Sequence, residues 1–145
     1  MASGIIKQIF LFPEKGQPGI ESSCAICIKN IGIQGDRFAK GGPKQVTAVD
    51  SKAWNWVHTH PNTGLCFKKF KANIVIDGLD FSSLQAGDIL SCHGVSFEVS
   101  PEEKECFPDC ILASKEIFCS LKSGVIYLKI LDSGEIQTNS SIVVL

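Results

Sequence analysis

Three cysteines in the last third of the chain are the residues best suited to chemistry. Cys106 and Cys110 are four positions apart, and Cys119 follows nine positions later. Pro108 is favoured at the first position of a helix, so we predict a short helix from Pro108 to about Glu116. Cys110 would lie in its first turn and Cys106 just ahead of it. The helix dipole and free backbone N–H groups there would stabilise a thiolate and lower the pKa of the thiol.

Charged neighbours act on this cysteine cluster in both directions. Lys104 adds a cation that favours the thiolate, whereas Glu102, Glu103 and Glu105 oppose it. A thiolate is the form that binds soft metals such as molybdenum or zinc, and the form that accepts a sulfur atom as a persulfide. The pattern therefore favours functional thiol chemistry.

Two other interpretations of the cysteine cluster stay open. The three cysteines could pack as small hydrophobic side chains. They could also form a structural zinc site, which commonly needs four ligands. The fourth ligand would then come from Asp109, Cys92 or a histidine.

A second candidate is the glycine-rich stretch from Gly32 to Lys44, which carries the cations Arg37, Lys40 and Lys44. Glycines let backbone N–H groups approach a phosphate closely, so the stretch is a plausible anion cradle. Its spacing is neither that of a P-loop nor that of a dinucleotide fingerprint. An ordinary solvated loop is the alternative.

Cys24 and Cys27 form a Cys-x-x-Cys motif that suggests redox or zinc chemistry. Because the motif lies in an alternating strand, the two side chains are predicted on opposite faces, and core packing is favoured. Cys92 also lies in an alternating strand and is predicted to be structural.

Composition limits the class of protein. The 145 residues argue for one domain, 1–145, and the 44% hydrophobic and 20% charged residues exclude a disordered chain. A net charge of -1 excludes a strongly basic nucleic-acid binder. The chain has no apolar stretch near the ~20 residues of a membrane span and no signal-peptide pattern at its start. We therefore expect a cytoplasmic protein without nucleic-acid or membrane partners.

Short strands dominate the elements that must position these residues. Asp50 or Ser51 can cap a helix that runs to about Thr59. Many short strands with a few short helices predict a mainly β domain, a closed or partly open β-barrel. The predicted strands cover residues 5–12, 24–31, 45–49, 73–76, 89–92, 95–99, 124–131 and 141–145.

Several short motifs occur in an order typical of one family. They are Gly35-Asp36-Arg37, Lys44-Gln45-Val46-Thr47, Phe70-Lys71-Ala72-Asn73-Ile74 with Gly78-Leu79, Leu84 with Gly87-Asp88, Phe97-Glu98-Val99 leading to Lys104-Glu105-Cys106, and a closing hairpin from Gly124 to Leu131 with Gly134. Together they resemble the MOSC domain, the C-terminal domain of molybdenum-cofactor sulfurases. Cys110 and Cys119 are similar to the extra cysteines of its stand-alone bacterial type.

The chain departs from the pattern of this family in three places. Phe107 stands where the stand-alone type usually has histidine, and Ala72 replaces a glutamate. Asn139-Ser140 replaces the last Gly-Asp pair. The missing histidine and glutamate bear on the efficiency of proton transfer and not on the fold.

The resemblance implies a β-barrel of the MOSC, pyruvate-kinase-barrel-like type that binds molybdenum cofactor or carries sulfur for metal–sulfur centres. Cys106 would be the reactive thiolate, as persulfide carrier or molybdenum ligand. Cys110 and Cys119 would assist it.

The cofactor and partners follow from the same resemblance. Arg37, Lys40 and Lys44 would hold the pterin phosphate of the molybdenum cofactor, and Asn73 would hydrogen-bond the pterin. Pyridoxal phosphate would belong to a partner sulfurase. The sulfur donor would be a cysteine desulfurase or another protein, and the acceptor a molybdoenzyme or a cofactor-biosynthesis protein.

Whether the chain is an enzyme is left open. One alternative is a molybdenum-cofactor-dependent reductase of N-hydroxylated compounds, ranked lower because such proteins carry a further N-terminal domain. The other is a non-enzymatic zinc or adaptor module built on Cys106, Cys110 and Cys119.

Overall fold

The alternating apolar runs of the sequence form the strands of a barrel. A computed structural model describes residues 2–14, 19–37, 39–59, 71–102 and 124–145, with the backbone alone for 57–59. In these residues the chain forms eleven strands, one α-helix and one 3-10 turn at Phe81–Ser83. The elements are β1 (Ser3–Leu11), β2 (Ile20–Ser22), β3 (Cys24–Ile28), β4 (Gly32–Ile33), β5 (Val46–Asp50), α1 (Ser51–Thr59), β6 (Ile74–Asp77), β7 (Ile89–Cys92), β8 (Val95–Val99), β9 (Val125–Ile130), β10 (Gly134–Gln137) and β11 (Ser141–Val144).

β1 closes the barrel because it pairs with two strands that are distant in sequence. Its first residues pair antiparallel with β11, with Ser3 opposite Val143. Its middle pairs with β6, and its end carries β2 as an added edge strand. The ring β1-β6-β5-β9-β8-β7-β11 therefore returns to β1 through seven strands, which confirms the predicted β-barrel.

The interior of the barrel is filled by the inward side chains of each strand. Phe97, Leu128 and Ile142 are fully buried there. Ile6 and Ile9 are also fully buried although their odd spacing would place them on opposite faces of a regular strand. A shift of register between Ile6 and Gln8 turns both inward.

A second apolar cluster lies on the outside of the barrel, under α1. β5 and β6 are parallel, so the chain must cross over between them, and α1 lies in this connection. Asp50 caps α1, because its Oδ1 accepts a hydrogen bond from Lys52 N at 3.0 Å. We call this group the outer cluster; its members are Val49, Ala53, Ala72, Val75 and Val125, with Phe10, Trp54, Trp56 and Tyr127 packed against them.

A small sheet of β10, β3 and β4 packs beside the barrel. Within β3, Cys27 is fully buried while Cys24 is half-buried, and Ile26 is 48% exposed. The predicted separation of the two cysteines onto opposite faces is confirmed, as is the burial of Cys92. The predicted closing hairpin is wrong, because β10 pairs with β3 and not with β9.

The predicted helix from residue 51 to 59 is confirmed, and the predicted strands are each found within a few residues of their bounds. The predicted helix from Pro108 to Glu116 lies outside the described residues. In the part of the chain that the structure describes, no helix is long and apolar enough to cross a membrane.

Candidate functional site

Four of the seven predicted site residues lie in the described part of the chain. Arg37, Lys40, Lys44 and Asn73 are described, whereas Cys106, Cys110 and Cys119 are outside the described residues. We call residues 103–123, which carry the three cysteines, the cysteine-bearing segment. The site is therefore built from the cations, from Asn73 and from the two points where this segment joins the barrel.

The predicted cations lie on the connection between β4 and β5. We call residues 35–44 the cation loop. Arg37 is half-buried, while Lys40 and Lys44 are exposed. Gly41 and Gly42 have φ angles of 74° and 79°, a conformation that glycine adopts without steric cost.

Asp36 fixes the start of the cation loop to the end of β1. Its side chain is 6% exposed, and its Oδ1 accepts a hydrogen bond from Phe12 N at 2.9 Å. Arg37 N donates to Phe12 O, also at 2.9 Å. Both polar backbone groups of Phe12 are thus bound by the loop, which holds the backbone of Arg37 at the rim of the barrel.

Gln45 fixes the other end of the cation loop. Its amide is 3% exposed and bonds in two directions. Nε2 donates to Gly42 O and Oε1 accepts from Ile130 N, each at 2.9 Å. The loop is therefore tied to β9 as well as to β1.

Two lysines lie over aromatic rings at this rim. Lys44 Nζ is 5.0 Å from the centroid of the Tyr127 ring. Lys71 Nζ is 5.4 Å from the centroid of the Phe12 ring. Such contacts contribute about 0.5–1 kcal/mol at exposed positions, enough to orient an ammonium group without neutralising its charge.

Sequence reasoning did not assign Lys71 to the site. No motif separates it from an ordinary surface lysine. Its relation to the cation loop becomes visible only when β1 and β6 are paired. The ring of Phe12 then lies under Lys71, and the backbone of Phe12 accepts a hydrogen bond from Arg37 N.

Asn73 bonds to the two strands that flank it. Its Oδ1 accepts from Thr47 N at 3.0 Å, and its Nδ2 donates to Phe10 O at 3.2 Å. Its backbone N–H and C=O bond to Thr47 O and Phe10 N at 2.8 and 2.7 Å. Asn73 is 2% exposed. Its side chain and backbone together bond the N–H and the C=O of both Thr47 and Phe10. Its predicted hydrogen bond to a pterin stays a prediction.

Both joints of the cysteine-bearing segment border the outer cluster. At one joint, Ser100 N donates to Tyr127 O at 2.9 Å. At the other, Gly124 is so close to α1 that a Cβ on it would lie 2.5 Å from the Cβ of Ala53. The Ser100 joint therefore lies beside Tyr127, over whose ring Lys44 lies. Gly124 precedes the other end of β9, where Val125 is opposite Val49.

Comparison with protein families identifies the chain. The model of the MOSC domain matches residues 35–143, about three quarters of the sequence. The chain belongs to the MOSC domain family. This family is associated with functions that involve the molybdenum cofactor, and the match starts at the glycine that opens the cation loop.

Solved structures support the MOSC fold. The YuaD protein of Bacillus subtilis is 16% identical with a TM-score of 0.68, over 97% of this chain and 94% of that one. YiiM of Escherichia coli is 14% identical with a TM-score of 0.61, over 100% and 70%. YiiM of Geobacillus stearothermophilus is 15% identical with a TM-score of 0.59, over 98% and 73%. None of the curated proteins matches the sequence.

The structure accounts for two departures from the MOSC pattern. Ala72, in place of the usual glutamate, is fully buried in the outer cluster, where a carboxylate would be desolvated. Asn139, in place of a glycine, has a φ of 67°. Asparagine tolerates this conformation better than most residues, so the turn is retained.

Two thiols in the core of this MOSC protein, Cys27 and Cys92, have raised pKa values, unlike reactive thiols. Burial and, second, the neighbouring Cys92 raise the pKa of Cys27 to about 12. Burial also raises the pKa of Cys92. Both are therefore protonated at neutral pH and chemically inert. Among the described residues, no group of three or more His, Cys, Asp and Glu side chains is arranged to hold a metal ion.

Proposed function

We propose that this protein binds molybdenum cofactor and carries sulfur for the maturation of the cofactor or of a metal–sulfur centre, with Cys106 as the reactive thiol. Membership of the MOSC family supports the cofactor. The observation that carries the proposal is the position of the two joints: both adjoin the outer cluster, and the Ser100 joint is bonded to Tyr127, over whose ring Lys44 of the cation loop lies.

The groups at this rim fit the two chemical parts of the cofactor. Its phosphate needs cations, and the cation loop offers exposed Lys40 and Lys44. The N–H of Gly41 is not part of this offer, because it donates to Ile31 O at 2.9 Å. Its planar pterin suits an aromatic surface, and Tyr127 and Trp54 lie half-exposed on the outer cluster. When bound, the cofactor would supply a molybdenum centre that takes thiolate or sulfide ligands.

The sulfur-transfer step uses Cys106 alone among the residues of this chain. The Cys106 thiolate attacks the outer sulfur of a persulfide on the donor protein. A new S–S bond forms on Cys106, the S–S bond of the donor breaks, and the donor leaves as a thiolate. The donor is a cysteine desulfurase or a protein loaded by one. In a separate release step, the thiolate of Cys110 or Cys119 would attack the inner sulfur of the Cys106 persulfide. The persulfide S–S bond breaks, the outer sulfur leaves as hydrosulfide for the acceptor, and the disulfide formed with Cys106 is reduced by an external dithiol.

A metal and pterin assay tests the binding part of the proposal. The protein is purified without oxygen from a host that makes the cofactor, and bound molybdenum and pterin are measured for the wild type, Cys106→Ser and Cys24→Ser. Cys24 is a matched control because it is a free, half-buried thiol on the small sheet. We expect the wild type and Cys24→Ser to retain both components and Cys106→Ser to lose them.

Two other results would contradict the proposal. Equal molybdenum and pterin in all three proteins would remove Cys106 from the site. Their absence from all three, with one zinc per chain in the wild type, would favour the zinc module instead. Sulfur transfer is tested separately, by mass spectrometry of Cys106 peptides after exposure to a persulfide donor, where one added sulfur atom is expected.

A further inference from the structure

The amide of Gln45 links the cation loop to β9. Lys44 lies between Gly42 and Gln45 in the chain, and Gln45 Nε2 holds Gly42 O at 2.9 Å. Gln45 Oε1 meanwhile holds Ile130 N of β9 at the same distance. The backbone on both sides of Lys44 is thus fixed to one strand.

The side chain of Lys44 is fixed to that same strand. Its Nζ lies 5.0 Å from the centroid of the ring of Tyr127, three residues before Ile130 on β9. The ammonium group of Lys44 and the backbone of the loop are therefore both held by contacts with β9. This arrangement requires a side chain that donates one hydrogen bond and accepts another, which restricts the position to an amide such as glutamine.

We infer that Gln45 is a positioning residue for an anion site: its amide holds Gly42 and Lys44 in the conformation that binds the phosphate of a phosphate ester. The inference rests on the proposed function, since the ligand is the phosphate of the same cofactor. Gln45 does not touch the ligand. Its buried amide, 3% exposed, acts through the loop.

Substitution of the amide by a carboxyl group separates positioning from general stability. In Gln45→Glu a carboxylate still accepts from Ile130 N but repels Gly42 O. A protonated carboxyl group can donate to Gly42 O again, and burial raises its pKa towards the accessible range. The other charged groups of the cation loop and of β9 are Asp36, Arg37, Lys40, Lys44 and Lys129.

The experiment measures the dissociation constant for inorganic pyrophosphate by calorimetry at pH 8 and pH 5.5, as the ratio of variant to wild type at each pH. We expect Gln45→Glu to bind about tenfold more weakly at pH 8 and to approach the wild type at pH 5.5. Gln45→Met, which has a similar shape and no hydrogen-bonding amide, should be weakened equally at both pH values. Gln137→Glu, an exposed glutamine on β10, adds the same charge on the small sheet and should match the wild type.

Each other outcome has a definite meaning. If the wild type binds pyrophosphate and both Gln45 variants bind within twofold of it at pH 8, Gln45 has no positioning role, whereas the proposed function stands. If the wild type does not bind pyrophosphate, the cation loop is not an anion site, and both the role of Gln45 and the phosphate part of the proposed function are wrong. Should Gln45→Glu unfold at pH 8, Gln45→Met decides the test.

Discussion

Replacing Asn73 by alanine should destabilise the barrel, because the side chain of Asn73 links two strands. The amide binds Thr47 N and Phe10 O, on the two strands that flank β6. Asn73→Ala leaves a backbone donor and a backbone acceptor without these bonds beside a side chain that is 2% exposed. An unsatisfied buried group costs about 1–3 kcal/mol. Because Thr47 and Phe10 are only half-buried, we expect a total loss of about 2–4 kcal/mol.

Urea unfolding followed by the fluorescence of Trp54 and Trp56 measures this loss. The free energy of unfolding is extrapolated to water, and the slope with urea should be unchanged if only the native contacts are lost. Asn55→Ala is the matched control, since Asn55 is exposed on α1 and should change stability by less than about 0.5 kcal/mol. A loss below about 0.5 kcal/mol for Asn73→Ala would show that the amide does not connect the strands.

Three further predictions concern thiols and close packing. Native protein treated with iodoacetamide near pH 7.5 should be modified at Cys24 but not at Cys27 or Cys92, as peptide mass spectrometry would show, and labelling of Cys27 in the native state would contradict its burial. Because the pKa of Cys27 is raised to about 12, the stability that its protonated thiol supplies should be intact below about pH 9 and should fall as the pH rises from there towards 12. Gly124→Ala should cost about 1–3 kcal/mol in urea unfolding, since its Cβ would lie 2.5 Å from that of Ala53. Adding Ala53→Gly should restore part of this loss, and strictly additive effects would mean that the two residues do not compete for space.

The strands with one buried face could be predicted from the sequence. In β8, Val95, Phe97 and Val99 are buried and alternate with half-buried residues, so the pattern and the strand have the same bounds. The strands β2, β4 and β10 were not predicted. β4 has two residues, and β2 has no buried one, since Ile20 is 57% exposed. Strands as short as β2 and β4 carry no alternation for a pattern to detect, and β10 buries Ile136 alone of its four residues.

The candidate site could be predicted only in part. The cations of the loop follow from residue type, because glycines and lysines in one stretch are visible in the sequence. The residues that hold the loop are not visible in this way. Asp36 bonds to a residue 24 positions away, and Gln45 to one 85 positions away. Such partners are fixed by the closure of the barrel, which single-sequence patterns do not encode.

The closure of the barrel through β1 also orders events during synthesis. Residues of β1 pair with β2 almost at once, with β6 later and with β11 last, since Ser3 pairs with Val143. At translation rates of about 5–20 residues per second, β11 is made roughly 7–30 s after β1. Throughout that interval the first half of β1 is an open edge, which other strands can join. The ribosome therefore sets the shortest time for which this edge is exposed, however fast the finished chain folds.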